Sequence, residues 1–265
     1  SSAASDVYKR QISNRNPRHE WLRMSDKELM ISAGLYETDF VTGTQGYNLA
    51  AILLFGKDEV IQSCAPGYVT DALCRKENLD RYDDRLIVKT NLIESYELLM
   101  DFIAKHTPDK FALVDNVRAS VRDLISREIV SNILVHRDFS SAFPAKVIIE
   151  KDWIRTENWC RARRQGNILE TEFTPYPKNP ILARFFVAVG FADTIGSGVR
   201  NLYKYTPVYT AGGKPELIEG DVFRINIPVT GAAVEEYKGE NELTDRESVI
   251  VNTVSYTHLT LPTIL

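Results

Sequence analysis

The sequence predicts an α/β chain of the α+β sandwich kind: a mixed or mainly antiparallel sheet covered on one face by helices. Three observations predict it. Two stretches, 90–106 and 120–136, carry apolar residues at helical spacing. Ala145–Glu150 and Trp153–Glu157 alternate as strands do around Lys151-Asp152, a hairpin turn. Val222–Val229 reads as a final strand of the same kind.

Element by element, Ser25-Asp26-Lys27-Glu28 is a capping box, so a short helix begins there and runs to Gly34. Thr42–Gln45 reads as a turn. The apolar run Tyr47–Phe55, ended by Gly56, is a buried helix or strand that periodicity does not resolve. Asp71–Arg81 has room for a strand. Thr90 is placed to cap a helix through His106, with Leu92, Ile93, Tyr96, Leu99 and Ile103 on one face and Pro108 ending it. Ser120 caps the next helix, with Asp123 at the capping-box position. Arg161–Gly166 is a basic loop. Prolines 175, 177 and 180 precede a helix over Ile181–Val189 that Gly190 closes. Gly196-Ser197-Gly198 opens another, carrying Val199, Leu202 and Tyr203. Residues 231–253 are charged and linker-like, and Leu243–Glu247 hints at a further helix start.

The 265 residues suffice for one large domain or two modest ones. With 44% apolar and 26% charged residues and a net charge of −4, the composition is that of an ordinary globular protein. No stretch has the length of a membrane-spanning helix, and no signal segment opens the chain. Cys64, Cys74 and Cys160 lack CxxC or Cys/His spacing, which argues against a zinc site or a disulfide framework and for a reducing, cytoplasmic setting. The mild acidity gives no general nucleic-acid signal, so DNA contact would need a local patch or a domain outside this chain.

Within the helix after Ser120, Glu128, Asn132 and His136 recur every four residues and fall within an arc of roughly 80°. Leu124 and Val135 border the arc on one side; Ile125, Ile129 and Ile133 border it on the other. Arg127 and Ser131 are expected to project elsewhere. A polar stripe among apolar neighbours faces the interior, where it needs partners. In a phosphate-transfer site a Glu orients or deprotonates water and an Asn oxygen coordinates Mg²⁺. The plainer alternative is a capped helix whose polar groups bond nearby backbone, and spacing alone favours it. Gly196-Ser197-Gly198 lets the backbone approach a phosphate at a helix start, although such a pair of glycines also serves ordinary turns. Neither a Walker A pattern nor the kinase motifs that would accompany His136-Arg137-Asp138 occur, which disfavours helicase and kinase activity for this chain.

Glu128-x-x-x-Asn132, the hairpin ending in Glu157-Asn158, and Gly196-x-Gly198 together resemble the GHKL (histidine-kinase, gyrase-type, or Bergerat) ATPase fold. SREIVSNILVHRDFSSAFPAKVIIEKDWIRTENW and PKNPILARFFVAVGFADTIGSGVRNLYKY further resemble a bacterial transcriptional-regulator family with a RecG-related C-terminal region. Members usually carry an N-terminal Schlafen/AlbA-type DNA-binding domain, and many end in a winged helix. The resemblance spans roughly Ile12 to Thr230. It implies a GHKL-like mixed sheet over 113–230, preceded by a smaller α/β linking segment over 12–112 and followed by a linker over 231–253. Residues 1–11 and 254–265 resemble translated sequencing-adapter tails, which implies a natural chain that continues in both directions.

Carried over position by position, the resemblance makes Glu128 the catalytic glutamate and Asn132 the Mg²⁺ ligand. Asn158 becomes the adenine contact, and Gly196, Ser197 and Gly198 the phosphate loop; His136 lies beside them in the ATP site. The usual D-x-G-x-G reads Asn158-Trp159-Cys160-Arg161-Ala162 here, so Trp159 and Cys160 are expected to crowd the nucleotide path. The implied function is an ATP-binding regulatory module of a transcriptional regulator, reaching DNA through domains outside this chain and capable of forming a homodimer. The alternatives are an active Mg²⁺-dependent ATPase and a degenerate dimerisation scaffold that binds no nucleotide.

Overall fold

In the computed structural model the described residues are 9–10, 12–13, 16–78, 80–114, 116–160, 162, 165–172, 177–194 and 196–229. The chain divides into two units, Ser1–Ala232 and Ala233–Leu265, and all described residues lie in the first. The linker-like 231–253 segment, the tail after it, and Arg161, Arg163 and Arg164 fall outside them.

A 3-10 turn at Glu20–Arg23 and helix α1 (Asp26–Ser32) lead into a small hairpin of β1 (Tyr36–Thr38) and β2 (Gln45–Tyr47). Helices α2 (Leu49–Phe55) and α3 (Asp58–Cys64) follow, then the hairpin of β3 (Thr70–Arg75) and β4 (Asp84–Val88). Next come helix α4 (Leu92–His106), a ribbon of β5 (Phe111–Val114) and β6 (Val117–Ser120), and helix α5 (Val121–Val135). The chain continues through β7 (Ala145–Glu150), β8 (Trp153–Trp159) and the short β9 (Gly166–Asn167). Helices α6 (Pro180–Val189) and α7 (Ser197–Tyr209) and the hairpin of β10 (Glu216–Glu219) and β11 (Val222–Pro228) complete it.

Local chemistry sets the helix boundaries. Ser25 and Glu28 exchange both capping-box bonds. Asn48 accepts from the Ala51 N–H, and this cap settles Tyr47–Phe55 largely in favour of helix. Asn91, not Thr90, caps α4: its side chain accepts from the Glu94 N–H, while the Thr90 hydroxyl donates to the Glu94 carboxylate. Ser120 caps α5 as expected, 3.0 Å from the Asp123 nitrogen. Gly190 ends α6 at φ +87°, in the left-handed region that glycine enters freely.

Seven strands form one sheet in the order β4-β3-β7-β8-β11-β10-β9. The β3–β7 pair is parallel and the others are antiparallel, so the sheet is mixed. Val147, Ile149, Ile154, Phe223, Ile225 and Ile227 are buried on one face. The other face carries polar ladders: Arg85 grips Asp71 through two bonds of 2.9 and 2.8 Å, and Arg224 reaches Glu157 at 3.1 Å. This is the α+β sandwich expected from the alternation.

The expected boundary near residue 112 needs correction. β3 and β4 precede it in sequence, yet they form one end of the same sheet, with Thr70–Arg75 registered against Ala145–Glu150. Residues 12–112 are therefore no separate linking segment. The segment before β3 is tied in as well: Trp21 stacks on Phe185 of α6 at 6.0 Å, Phe55 meets the same ring edge-on at 5.4 Å, and Arg184 donates to the Ala33 carbonyl.

Candidate functional site

Helix α5 runs through the interior, with Ile125, Ile129 and Ile133 at most 2% exposed. Its polar stripe opens onto a cleft of about 560 Å³, within the usual range for small-molecule sites. Glu128, Asn132 and His136 line one wall. Gly196, Ser197 and Gly198 at the start of α7 line another, and Ala183, Phe186 and Val187 of α6 a third. Leu217, Phe223 and Ile225 form an apolar floor from the sheet. Segments spread from residue 128 to residue 225 thus converge on one space.

The two glycines serve different needs. Gly196 is the N-cap of α7 at φ +97°, a conformation that L side chains rarely adopt. Gly198 matters for space: a Cβ there would sit 2.8 Å from Glu128 Oε2, so a larger residue must displace that carboxylate. Its missing side chain makes room for the carboxylate and so packs α7 against α5.

Glu128 is 8% exposed, and burial pushes its carboxyl above the ordinary range; the Asn201 hydrogen bond opposes that rise and the nearby Asp193 charge adds to it. Asn201 Nδ2 donates to Glu128 Oε1 at 2.6 Å and to Asp193 Oδ2 at 3.0 Å, while Arg127 donates to Asp193 Oδ1 at 2.9 Å. Asn132 lines the cleft with its Oδ1 buried and, among the described residues, without a hydrogen-bond partner. His136 is the C-cap of α5; burial first and Lys178 second lower its pKa to about 4, so at neutral pH it is an uncharged ring.

Asn158 does not join this constellation. It points to the helix-covered face beside its cross-strand partner Phe223, but lies beneath the cleft lining and is 1% exposed. Its Nδ2 is committed to the His136 carbonyl at 2.7 Å, leaving Oδ1 buried and without a partner among the described residues. Trp159 does not crowd the cleft either, because strand alternation turns it to the opposite face, where it stacks on Phe143 at 5.0 Å. Arg137 is 3% exposed, lies over the Tyr68 and Phe139 rings, and donates to the Val69 carbonyl and the Thr70 hydroxyl.

Several residues in and behind the cleft lining escaped the sequence reading. Ser131, expected to point away, lines the cleft and donates to the Phe191 carbonyl at 2.7 Å, fastening the α6–α7 loop to α5. Its i+3 spacing from Glu128 was the available signal. Asn201 lies three residues beyond Gly198 on the same helical face. Asp193 and Lys178 sit in loops, where no periodicity marks them.

A family described as "Domain of unknown function (DUF8451)" matches residues 3–71, the segment that runs from the N-terminal region into β3. No curated protein matches the chain. Among solved structures, the chain is similar to the crystal structure of the DIP2311 protein from Corynebacterium diphtheriae, with a TM-score of 0.60 and 18% identity. The match covers 84% of this chain and 44% of that one, so the chain spans less than half the length of that protein. The likeness supports the shared α+β architecture. Among the described residues, no helix is long and apolar enough to cross a membrane.

Proposed function

We propose that the α5–α7 cleft binds ATP with Mg²⁺, and that the chain is the nucleotide-binding regulatory module of a bacterial, cytoplasmic, DNA-binding transcriptional regulator. The observation that carries this reading is the convergence of Glu128, Asn132 and His136 with Gly196–Gly198 around one cleft. The apolar floor suits a base, and the glycine turn at the α7 N-terminus suits phosphates. The buried Asn132 Oδ1, without a partner among the described residues, fits a cation ligand. Among the described residues no three His, Cys, Asp or Glu side chains gather to hold a metal, so Mg²⁺ would take most of its ligands from phosphates and water. When bound, the ion would neutralise phosphate charge.

That neutralisation matters here. Among the described lining residues Glu128, Asp193 and Glu219 are acidic and Lys178 is basic, with Asp193 already bonded to Arg127. A bare triphosphate beside the buried Glu128 carboxylate meets repulsion, so binding should require Mg²⁺. Calorimetric titration of the chain with ATP should give heat with Mg²⁺ and none in EDTA, and Asn132→Ala should abolish it. No heat with Mg²⁺ present would end the reading. DNA contact would lie in parts beyond the described residues, and homodimerisation would be tested by sedimentation.

A second reading, a scaffold that binds no nucleotide, draws support from the internal partners that Glu128 and Asn158 already have. Under it, Asn132→Ala changes stability alone. Turnover by wild type, lost in Glu128→Ala while binding persists, would instead establish the ATPase alternative.

A further inference from the structure

A carboxylate as buried as that of Glu128 needs hydrogen bonds. Among the described residues its donor is Asn201, whose Nδ2 lies 2.6 Å from Oε1. The same amide nitrogen bridges to Asp193 Oδ2, whose other oxygen is held by Arg127. Carboxylates only accept, so contact with two of them fixes the Asn201 amide: its N–H groups face the acids, and a flipped side chain would set three oxygens together. Arg127 precedes Glu128 on α5. The chain of contacts therefore leaves α5, crosses the α6–α7 loop and α7, and returns to α5 one residue on.

We propose that Asn201, backed by Asp193 and Arg127, is the positioning residue for Glu128: it anchors one carboxylate oxygen so that the other stays at the Gly198 turn of the cleft. The second half of the geometry is the close approach of Oε2 to Gly198, where an added Cβ would lie 2.8 Å from it. The inference rests on the nucleotide-site reading only for its functional meaning. The bonded arrangement itself does not depend on it. Among the described residues, the charged and titratable groups facing Glu128 are Asp193, Arg127 and the buried Tyr96 of α4. Loss of Asn201 removes a donor that favours the charged carboxylate; loss of the Asp193 charge removes a repulsion that disfavours it. The two changes act in opposite directions.

The test is a pH titration by NMR of the full chain labelled with carboxyl-¹³C glutamate, the Glu128 signal being assigned by its disappearance in Glu128→Gln. The expected result is an upward shift of the Glu128 midpoint in Asn201→Ala and a downward shift in Asp193→Asn. An unchanged midpoint in folded Asn201→Ala overturns the proposal. Should that variant fail to fold, Asp193→Asn decides: a midpoint that does not fall overturns it. Calorimetry with Mg²⁺ and ATP on the same samples separates the two readings, because absence of heat in wild type would remove the nucleotide site while leaving opposite shifts as support for positioning.

Discussion

Gly198→Ala provides a sharp test of how α5 and α7 fit together. The added Cβ would lie 2.8 Å from Glu128 Oε2, closer than real Cβ contacts allow, so the pair must separate by a few tenths of an ångström. A free glutamate would swing away cheaply. This one is clamped by Asn201 at 2.6 Å, so the strain is expected to spread into the helix contact. Overpacking of this kind costs about 1–3 kcal/mol, and alanine in place of glycine in a helix returns up to about 1 kcal/mol. The net loss expected is about 1–2 kcal/mol, which lowers Tm by roughly 2–8 °C in a protein of this size. In a Glu128→Ala background the obstruction is gone, and the same Gly198→Ala change should stabilise by about 0.5–1 kcal/mol. Denaturant unfolding of the four proteins of this cycle measures the sign directly. Destabilisation of equal size in both backgrounds would refute the steric argument.

His136 predicts a pH dependence. Its folded pKa of about 4 lies below the ordinary 6.5, so between those values the unfolded chain takes up a proton that the folded chain excludes. Its contribution is fully present above about pH 6.5 and is lost as pH falls toward 4, with an upper bound of about 3 kcal/mol. His136→Gln should flatten that part of the stability–pH profile. Asn179 donates to the Val135 and Arg137 carbonyls at the end of α5, so Asn179→Ala should lower unfolding free energy by about 1–3 kcal/mol in urea titration. Trp159→Ala should leave the affinity for Mg²⁺ and ATP unchanged by calorimetry, since the ring lies outside the cleft lining; a large loss would contradict that placement.

Much of the fold was legible because its signals are local. Ser25, Ser120 and Gly190 mark helix ends by chemistry that acts over three or four residues, and β7 and β8 show their alternation directly. The ribbon β5–β6 and the short β9 passed unseen, since four- and two-residue strands hold too little pattern. Membership of β3 in the main sheet was equally hidden: it depends on a partner far along the chain. At the site, helical spacing found the α5 stripe, whereas the Asn158 assignment came from resemblance and met a different local fact, the competing His136 carbonyl. Gly198 was read as an opening for phosphate, but its nearest obstacle is Glu128, a relation that only the packed structure reveals.

The parallel pairing of β3 with β7 has a consequence for how the molecule forms. Thr70 must meet Ala145, yet everything from β4 through α5 lies between them in the chain. The β3–β4 hairpin can close early, but the other edge of β3 has no mate until β7 has been made. During synthesis that edge and the apolar side chains of Ala72 and Cys74 wait uncovered, which is the condition under which strands pair wrongly. Folding should therefore be slow for the chain length, governed by one distant closure. A polypeptide stopped before residue 145 should aggregate rather than persist as a folded N-terminal half.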